Sequence, residues 1–307
     1  MTLLDALVGA AITKPSVVTI GTFDGVHIGH QHLITTVATR AHQRGALAVA
    51  LTFHPRPAEI LRPDSPSTYL CSLDTRMRLL REAGADVVIP VRFTHDLSRM
   101  SAFDFTRLLV EHAKMCELVG GPDLALGRGR EGTSDVLRGI GSRLHFDVVI
   151  VPVLEIDGES VRSSSIRRAI ADGDIAWATK LLGRRYQIEG EVVPGDGRGR
   201  TIGVPTANVA VSEKILLPGN SVYAVYFHEN GRRWRGAANV GTRPTFSGVG
   251  RTLEVHLLDF SGDLYGHRCR VEFVERLRPE QRFASVEDLV SQIRRDIQHA
   301  REILVAN

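Results

Sequence analysis

From Ser16 to about Val153, short apolar runs alternate with segments whose apolar residues recur at helical spacing. Val17–Ile20, Leu47–Phe53, Val87–Val91, Leu118–Gly120 and Val148–Val153 are rich in β-branched residues and predict buried strands. His30–Arg44, Ser72–Ala83, Ser101–Met115 and Thr133–Leu144 predict the helices between them. Strands and helices in strict alternation build a parallel α/β sheet from βαβ units. Ser163–Leu182 predicts two short helices broken at Asp172-Gly173-Asp174, and Gly183-Arg184-Arg185 closes this first half.

After Tyr186 the rhythm changes to short strands separated by turn signals. Gln187–Val193, Ser221–Glu229, Trp234–Val240, Thr252–Leu258 and Arg270–Glu275 predict an antiparallel barrel or sandwich. Ser285-Val-Glu-Asp288 has the form of a capping box. It opens an amphipathic helix whose stripe is Leu289, Ile293 and Ile297. The predicted domains are therefore residues 1–185 and 186–307. The length of 307 residues fits two domains of ordinary size, about 100–200 residues each.

Composition adds limits rather than a function. With 43% hydrophobic and 24% charged residues the chain is of the globular type. The formal charge of +3 is dispersed, with basic concentrations at Arg128–Arg130, Arg162–Arg168 and Arg198–Arg200. Short basic clusters beside glycines suit phosphate ligands, whereas a nucleic-acid surface needs a broad basic face. Cys71, Cys116 and Cys269 are far apart and have no metal-ligand spacing, which points to a reducing compartment. The apolar stretch Leu3–Ile12 is interrupted by Asp5, and Lys14 follows rather than precedes it, unlike a signal peptide. No run approaches the roughly 20 apolar residues of a membrane span. A cytoplasmic protein is expected, with neither nucleic acid nor membrane as partner; a homo-oligomer is compatible with the sequence.

Two segments carry most of the candidate chemistry. The first is Val17-Val-Thr-Ile-Gly21-Thr22-Phe23-Asp24-Gly25-Val26-His27-Ile28-Gly29-His30, a strand running through a glycine-rich turn into a helix. Amides at a helix start bind phosphate. His27 and His30, three residues apart, project to the same side of the first turn and can donate to a phosphoryl group gaining charge. Gly29 leaves room for a nucleotide between them. Asp24 has two readings, a ligand contact or an Asx-turn residue.

The second segment runs from Gly190 through Gly195-Asp196-Gly197-Arg198-Gly199-Arg200-Thr201-Ile202-Gly203-Val204-Pro205-Thr206-Ala207-Asn208. Its glycines and arginines form a loop able to wrap phosphate. Thr206 and Asn208 are two apart, so on an extended segment their oxygens point to one side and can hold a magnesium ion with the ATP phosphates.

These spellings resemble a known family. The first segment is similar to the FAD synthetase branch of the HxGH nucleotidyltransferases, and Thr52-Phe53-His54-Pro55-Arg56-Pro57 resembles that branch's TFxPxP, with arginine where many members have histidine. Gly121-Pro122-Asp123-Leu124-Ala125-Leu126-Gly127-Arg128-Gly129-Arg130-Glu131-Gly132 is similar to its GxDFxFGxxRxG, with leucine for both aromatics. Ser163-Ser164-Ser165-Ile166-Arg167 resembles its SSTxIR, with Arg162 where the first serine is expected. The second segment is similar to the riboflavin kinase signature GRxxGxPTAN. Asn239-Val-Gly241-Thr-Arg243-Pro-Thr245-Phe246, Leu253-Glu254-Val-His256-Leu-Leu-Asp259-Phe260 and Leu264-Tyr265-Gly266 resemble the same family's NVGxRPTF, ExHLLDF and LYG.

The resemblance spans about Val17 to Leu304 and implies a bifunctional riboflavin kinase/FAD synthetase. It implies a Rossmann-like nucleotidyltransferase α/β domain followed by an antiparallel β-barrel kinase domain with a terminal helix. Riboflavin, FMN and ATP are the implied substrates and Mg²⁺ the implied metal. Glu254, His27 and His30 are the expected catalytic residues. Gly21, Thr22, Phe23, Asp24, Gly29, Ser163, Ser164, Arg167, Gly195, Gly197, Arg200, Gly203, Pro205, Thr206 and Asn208 are expected to bind ATP. Arg56, Asp123, Asn239 and Arg243 are expected to bind flavin, and Thr206 and Asn208 the metal. His256, Phe260 and Tyr265 are expected to support or pack. Two other readings stay open: an active kinase whose transferase half is weak or altered in specificity, motivated by Arg56, Leu124, Leu126 and Arg162, and a flavin-binding regulator without turnover.

Overall fold

The valine-rich runs of the first half form a five-stranded sheet of β1 (Ser16–Gly21), β2 (Leu47–Phe53), β3 (Val87–Val91), β4 (Met115–Gly120) and β5 (Asp147–Ile150) in a computed structural model. The structure describes residues 2–64, 68–195, 197, 199, 202–245 and 248–306, apart from the side chains of 243–245, 248, 249 and 306. The sheet order is β3-β2-β1-β4-β5, and every pair is parallel. Around it lie α1 (Leu3–Gly9), α2 (Ile28–Gln43), α3 (Pro57–Leu61), α4 (Leu73–Glu82), α5 (His95–Arg99), α6 (Ala102–Ala113) and α7 (Ser134–Leu144). A two-stranded hairpin, β6 (Glu155–Ile156) with β7 (Glu159–Ser160), follows β5.

Alternation along β1 divides this core. Val18 and Ile20 join a cluster with Leu7, Phe105, Leu109 and Leu137, whereas Val17 packs with Val37 and Ala41 of α2. The strand order reverses at β1, between β2 and β4. In open α/β sheets ligands bind at such a switch point, beyond the carboxyl ends of the strands. Here those ends are Gly21 and Gly120.

Periodicity missed α1, α3 and α5, each only five to seven residues long. The segment containing α1 has its signal in the cap instead. Thr2 Oγ1 accepts from the amide of Asp5, and the Asp5 carboxylate accepts from the amide of Thr2.

Backbone contacts group Thr68–Ser72 with the residues from Ser163 onward, and the other described residues into a separate unit. The second unit begins with α8 (Ser163–Asp172) and α9 (Ile175–Leu182), broken at Gly173 as expected. Six strands follow: β8 (Gln187–Val193), β9 (Ala207–Ala210), β10 (Ser221–Glu229), β11 (Arg232–Thr245), β12 (Gly248–Leu257) and β13 (Arg268–Pro279). They close in the order β10-β11-β12-β9-β8-β13, every pair antiparallel. This closure decides between barrel and sandwich in favour of a barrel.

Tyr223, Val225 and Phe227 of β10 are fully buried with Val255, Val271 and Phe273. The alternate residues Ala224 and Tyr226 are buried as well, because α10 (Val286–Ala306) covers them with Ala300 and Leu304. Arg278 fixes this helix to the barrel through two-pronged bonds to Asp296, including Nη2 to Oδ2 at 2.8 Å. Among the described residues no helix is long and apolar enough to cross a membrane.

Candidate active sites

In the first unit, the expected residues gather at the carboxyl end of β1. His27 is the N-cap of α2, and its Nδ1 accepts from the amide of His30 at 3.3 Å. That bond fixes the proton of a neutral His27 ring on Nε2, which makes this nitrogen a donor. The His27 and His30 rings stack, with centroids 3.6 Å apart and planes at 20°. Phe23, buried, meets His30 edge-on at 5.3 Å. A Cβ at Gly29 would lie 3.2 Å from Cε1 and Nδ1 of His27, so glycine lets this ring sit over the helix start. The arrangement is an anion site in form: a helix N-terminus with two aligned imidazoles.

Asp24 is fully buried and faces cations. Its Oδ2 lies 3.5 Å from Arg56 Nη1, and its Oδ1 lies 3.9 Å from Arg76 Nη2. Arg56 also lies 3.6 Å from Glu59. Sequence reasoning missed Arg76. Its signal was a charge inside an apolar stripe, since Leu73, Arg76, Met77 and Leu80 share one helical face.

Gly21 and Thr22 form the strand end, and the Thr22 carbonyl accepts from Thr52 Oγ1 at 3.1 Å. Asp123 stands in the turn after β4. Its side chain is 3.5 Å from Arg162, and its carbonyl accepts from Arg130 at 2.9 Å. Leu126 lies in the hydrophobic core and Leu124 packs against it, which explains why aliphatic side chains are accommodated there.

In the second unit, Ser163, Ser164 and Arg167 lie on the first turns of α8, with Ser164 exposed. Arg167 Nε donates to the Thr68 carbonyl at 3.1 Å.

The barrel assembles the remaining residues by strand register. Asn208 of β9 pairs with Glu254 of β12, which pairs with Asn239 of β11. Residues directly opposite in an antiparallel pair point to one face, so an amide, a carboxylate and an amide form a row across three strands. Thr206 Oγ1 donates to Glu254 Oε2 at 3.4 Å. His256, two residues along β12, bonds the Pro205 carbonyl through Nδ1 at 2.8 Å.

The row opens into a cleft of about 340 Å³ between barrel wall and α10. Thr206, Asn239, Glu254 and His256 line it on one side, with Val222, Phe283, Leu289 and Ile293 among its apolar residues. A smaller cleft of about 230 Å³ shares Thr206 and is lined by Pro205, Leu257, Phe260, Leu264 and Tyr265. Phe260 packs edge-on against Trp234, and Tyr265 is 48% exposed.

Gly195 presses on Asn208, for a Cβ there would lie 2.2 Å from Asn208 Nδ2. Gly197 and Gly203 have positive φ, at 71° and 77°. Arg198, Arg200 and Phe246 lie outside the described residues, as does the side chain of Arg243.

Oxygen donors suit a hard cation such as magnesium. Thr206, Asn208 and Glu254 present a hydroxyl, an amide and a carboxylate on one patch, and the bare Gly195 backbone closes over it. These residues fit the group.

Comparison with known proteins agrees with both halves of the geometry. A family model for riboflavin kinase matches residues 182–304, and one for FAD synthetase matches residues 10–165. The chain is 40% identical over 288 residues to the bifunctional riboflavin kinase/FMN adenylyltransferase of Escherichia coli (strain K12), covering 93% of this chain and 92% of that one. It is 39% identical over 295 residues to the protein of the same description from Pseudomonas fluorescens, covering 94% and 92%. A crystal structure described as a macrolide-efflux protein from Streptococcus pneumoniae superposes with a TM-score of 0.87 at 32% identity, covering 94% and 95% of the two chains. With two family models meeting in one chain and relatives matched along almost their whole length, the chain belongs to the bifunctional riboflavin kinase/FMN adenylyltransferase family.

Proposed function

We propose that Glu254, Thr206 and Asn208 carry the first reaction of this bifunctional enzyme, phosphorylation of riboflavin to FMN, and that His27 and His30 carry the second, adenylylation of FMN to FAD. Residues 186–307 serve the first step and residues 1–185 the second. The observation that carries the reading is the row Asn208, Glu254, Asn239, which sets one carboxylate at the mouth of an apolar cleft.

The larger cleft falls within the roughly 300–1,000 Å³ of small-molecule sites and takes the flat isoalloxazine between barrel wall and α10. The smaller, largely apolar cleft takes the nucleoside of ATP. Thr206 lines both, so the phosphates cross it toward Glu254. Glu254 accepts the ribityl 5′-hydroxyl proton as the bond to the γ-phosphorus forms, and ADP leaves. The Thr206 hydroxyl orients that carboxylate. Thr206 and Asn208 would hold Mg²⁺, which neutralises phosphate charge when bound. Arg200 and Arg243 serve ATP and flavin respectively by their place in the motifs.

In the second reaction an FMN phosphate oxygen attacks the α-phosphorus of a second ATP, and pyrophosphate leaves. Nε2 of His27 and the ring of His30 donate to the non-bridging oxygens, and the amides that open α2 add their positive end. Gly21, Thr22 and Phe23 shape this pocket, Gly29 lets the His27 ring lie against the start of α2, and Asp24 and Arg56 hold its loop. By their place in the motifs, Ser163, Ser164 and Arg167 are assigned to ATP and Asp123 to flavin. The widely separated cysteines support a cytoplasmic setting.

The test uses the full chain with MgATP and either riboflavin or FMN. Glu254→Gln is expected to abolish riboflavin phosphorylation and leave FAD formation from FMN intact; His30→Ala should do the reverse. Undiminished kinase activity in Glu254→Gln would reject the base assignment.

A further inference from the structure

Arg76 on α4 has a fully buried side chain, the largest such among the described residues. Stripping water from a guanidinium is costly unless its charge and its N–H groups are met. Methionine or leucine would fill similar space without that cost, so packing does not account for arginine here. Two hydrogen bonds from Nη1 and a carboxylate opposite Nη2 favour it instead. Nη1 donates to Thr52 Oγ1 at 3.3 Å and to the Phe53 carbonyl at 3.1 Å, both at the carboxyl end of β2. Nη2 lies 3.9 Å from Oδ1 of Asp24, in the loop that leads from β1 to His27.

The same loop is held in two further ways. Thr52 Oγ1 donates to the Thr22 carbonyl at 3.1 Å, so one hydroxyl links Arg76 to the start of the loop. Phe23, Val26 and Ile34 form a core cluster with Leu80, against which Met77 and Leu79 pack, so α4 also supports the loop through apolar contact. Phe23 in turn stands edge-on to His30.

We propose that Arg76 is a positioning residue for adenylyl transfer: its buried fork locks the β1–α2 loop to the end of β2 and so fixes His27 and His30 against the reacting phosphate. This rests on the placement of that reaction at the two histidines. Arg76 acts through Asp24, Thr52 and Phe53 rather than on the reactants. Lysine, with one compact ammonium, reproduces the charge but not the fork that reaches β2 and Asp24 together. A shift of about 1 Å in a catalytic group costs up to about a hundredfold in rate, and it falls on kcat where the substrates keep their other contacts.

The experiment compares Arg76→Lys, Arg76→Gln and His30→Ala in the full chain. FAD formation is measured with FMN and MgATP varied, and riboflavin phosphorylation by the same chain serves as the internal measure of intact enzyme. Arg76→Gln is expected to lower kcat for FAD formation by more than about tenfold, with both KM values within about threefold of the parent. Arg76→Lys should recover part of that loss, and riboflavin phosphorylation should not change. Should Arg76→Gln fail to fold in the first unit, Arg76→Lys alone is expected to show reduced kcat with unchanged KM. A folded Arg76→Gln with parental kcat overturns the proposal. So does a loss confined to KM, or a Lys variant indistinguishable from Gln in both kcat and melting temperature. Parental FAD formation by His30→Ala would instead overturn the site placement, and the proposal with it.

Discussion

Asn208 and Glu254 stand directly opposite each other in the pairing of β9 with β12, so an amide and a carboxylate share one face of the barrel. If Asn208 serves metal and phosphate while Glu254 serves the proton, their variants separate. Asn208→Ala is expected to raise the KM for MgATP and to move the magnesium activation curve to higher concentration, with the riboflavin KM nearly unchanged. Titrating kinase activity with magnesium at fixed ATP checks this; a variant with the parental activation curve would remove Asn208 from the metal site.

Gly195 gives a steric test of the same patch. A methyl group there would meet the Asn208 amide at 2.2 Å, far inside van der Waals contact. Either the loop lifts or Asn208 turns away, and both spoil phosphate binding. Gly195→Ala should therefore lose at least about tenfold in kcat/KM for MgATP in the kinase reaction, roughly the effect of a misplaced positioning group. FAD formation from FMN should be retained, which steady-state assays of the two reactions would reveal.

Both signatures were legible because each combines a fixed backbone geometry with unusual residue types. HxGH marks a strand–helix junction, and PTAN an extended pair of oxygen donors. The strand β9 was not read as a strand, since Ala207–Ala210 is four residues long and its ladder depends on partners at Leu253–Val255 and Glu191–Val193. Arg76 was missed because a charged residue in an apolar stripe looks like a surface position until its partners on β2 and the β1–α2 loop are known. The role of α10 as a cleft wall was likewise hidden. Its stripe of Leu289, Ile293 and Ile297 was plain, but the Arg278–Asp296 pair and the packing of Ala300 and Leu304 on β10 show where it docks.

His27 caps α2, and in the proposed mechanism it also donates to phosphate, two parts that substitution can pull apart. Its Nδ1 caps the His30 amide, and a lost N-cap costs about 1 kcal/mol. Asparagine is itself a good N-cap but lacks the imidazole donor. His27→Asn and His27→Ala should both lose about 10²–10³ in kcat for FAD formation, the size of a removed oxyanion donor. Only His27→Ala should also lower the melting temperature. Equal activity of the Asn variant and the parent would reduce His27 to a helix cap.

The acid limb of stability tests a third group, His228 on β10, remote in sequence from either signature. Burial holds its pKa below the ordinary 6.5, and the positive charges of Arg270 and Arg233 push the same way. Glu272 opposes them from 3.4 Å, but Arg185 draws on the same carboxylate at 3.0 Å and weakens its pull. The unfolded chain then takes up this proton at higher pH than the folded one. Stability contributed by the neutral ring is present above pH 6.5 and declines as the pH falls toward the depressed folded-state value, below which the slope ends. His228→Gln removes the proton and with it this slope. Calorimetric melting of the full chain between pH 7.5 and 5 should give a flatter acid limb in the variant than in the parent. If Glu272 instead held the imidazolium in place, the sign would invert: the parent would gain stability relative to the variant on acidification, and the burial argument would fail.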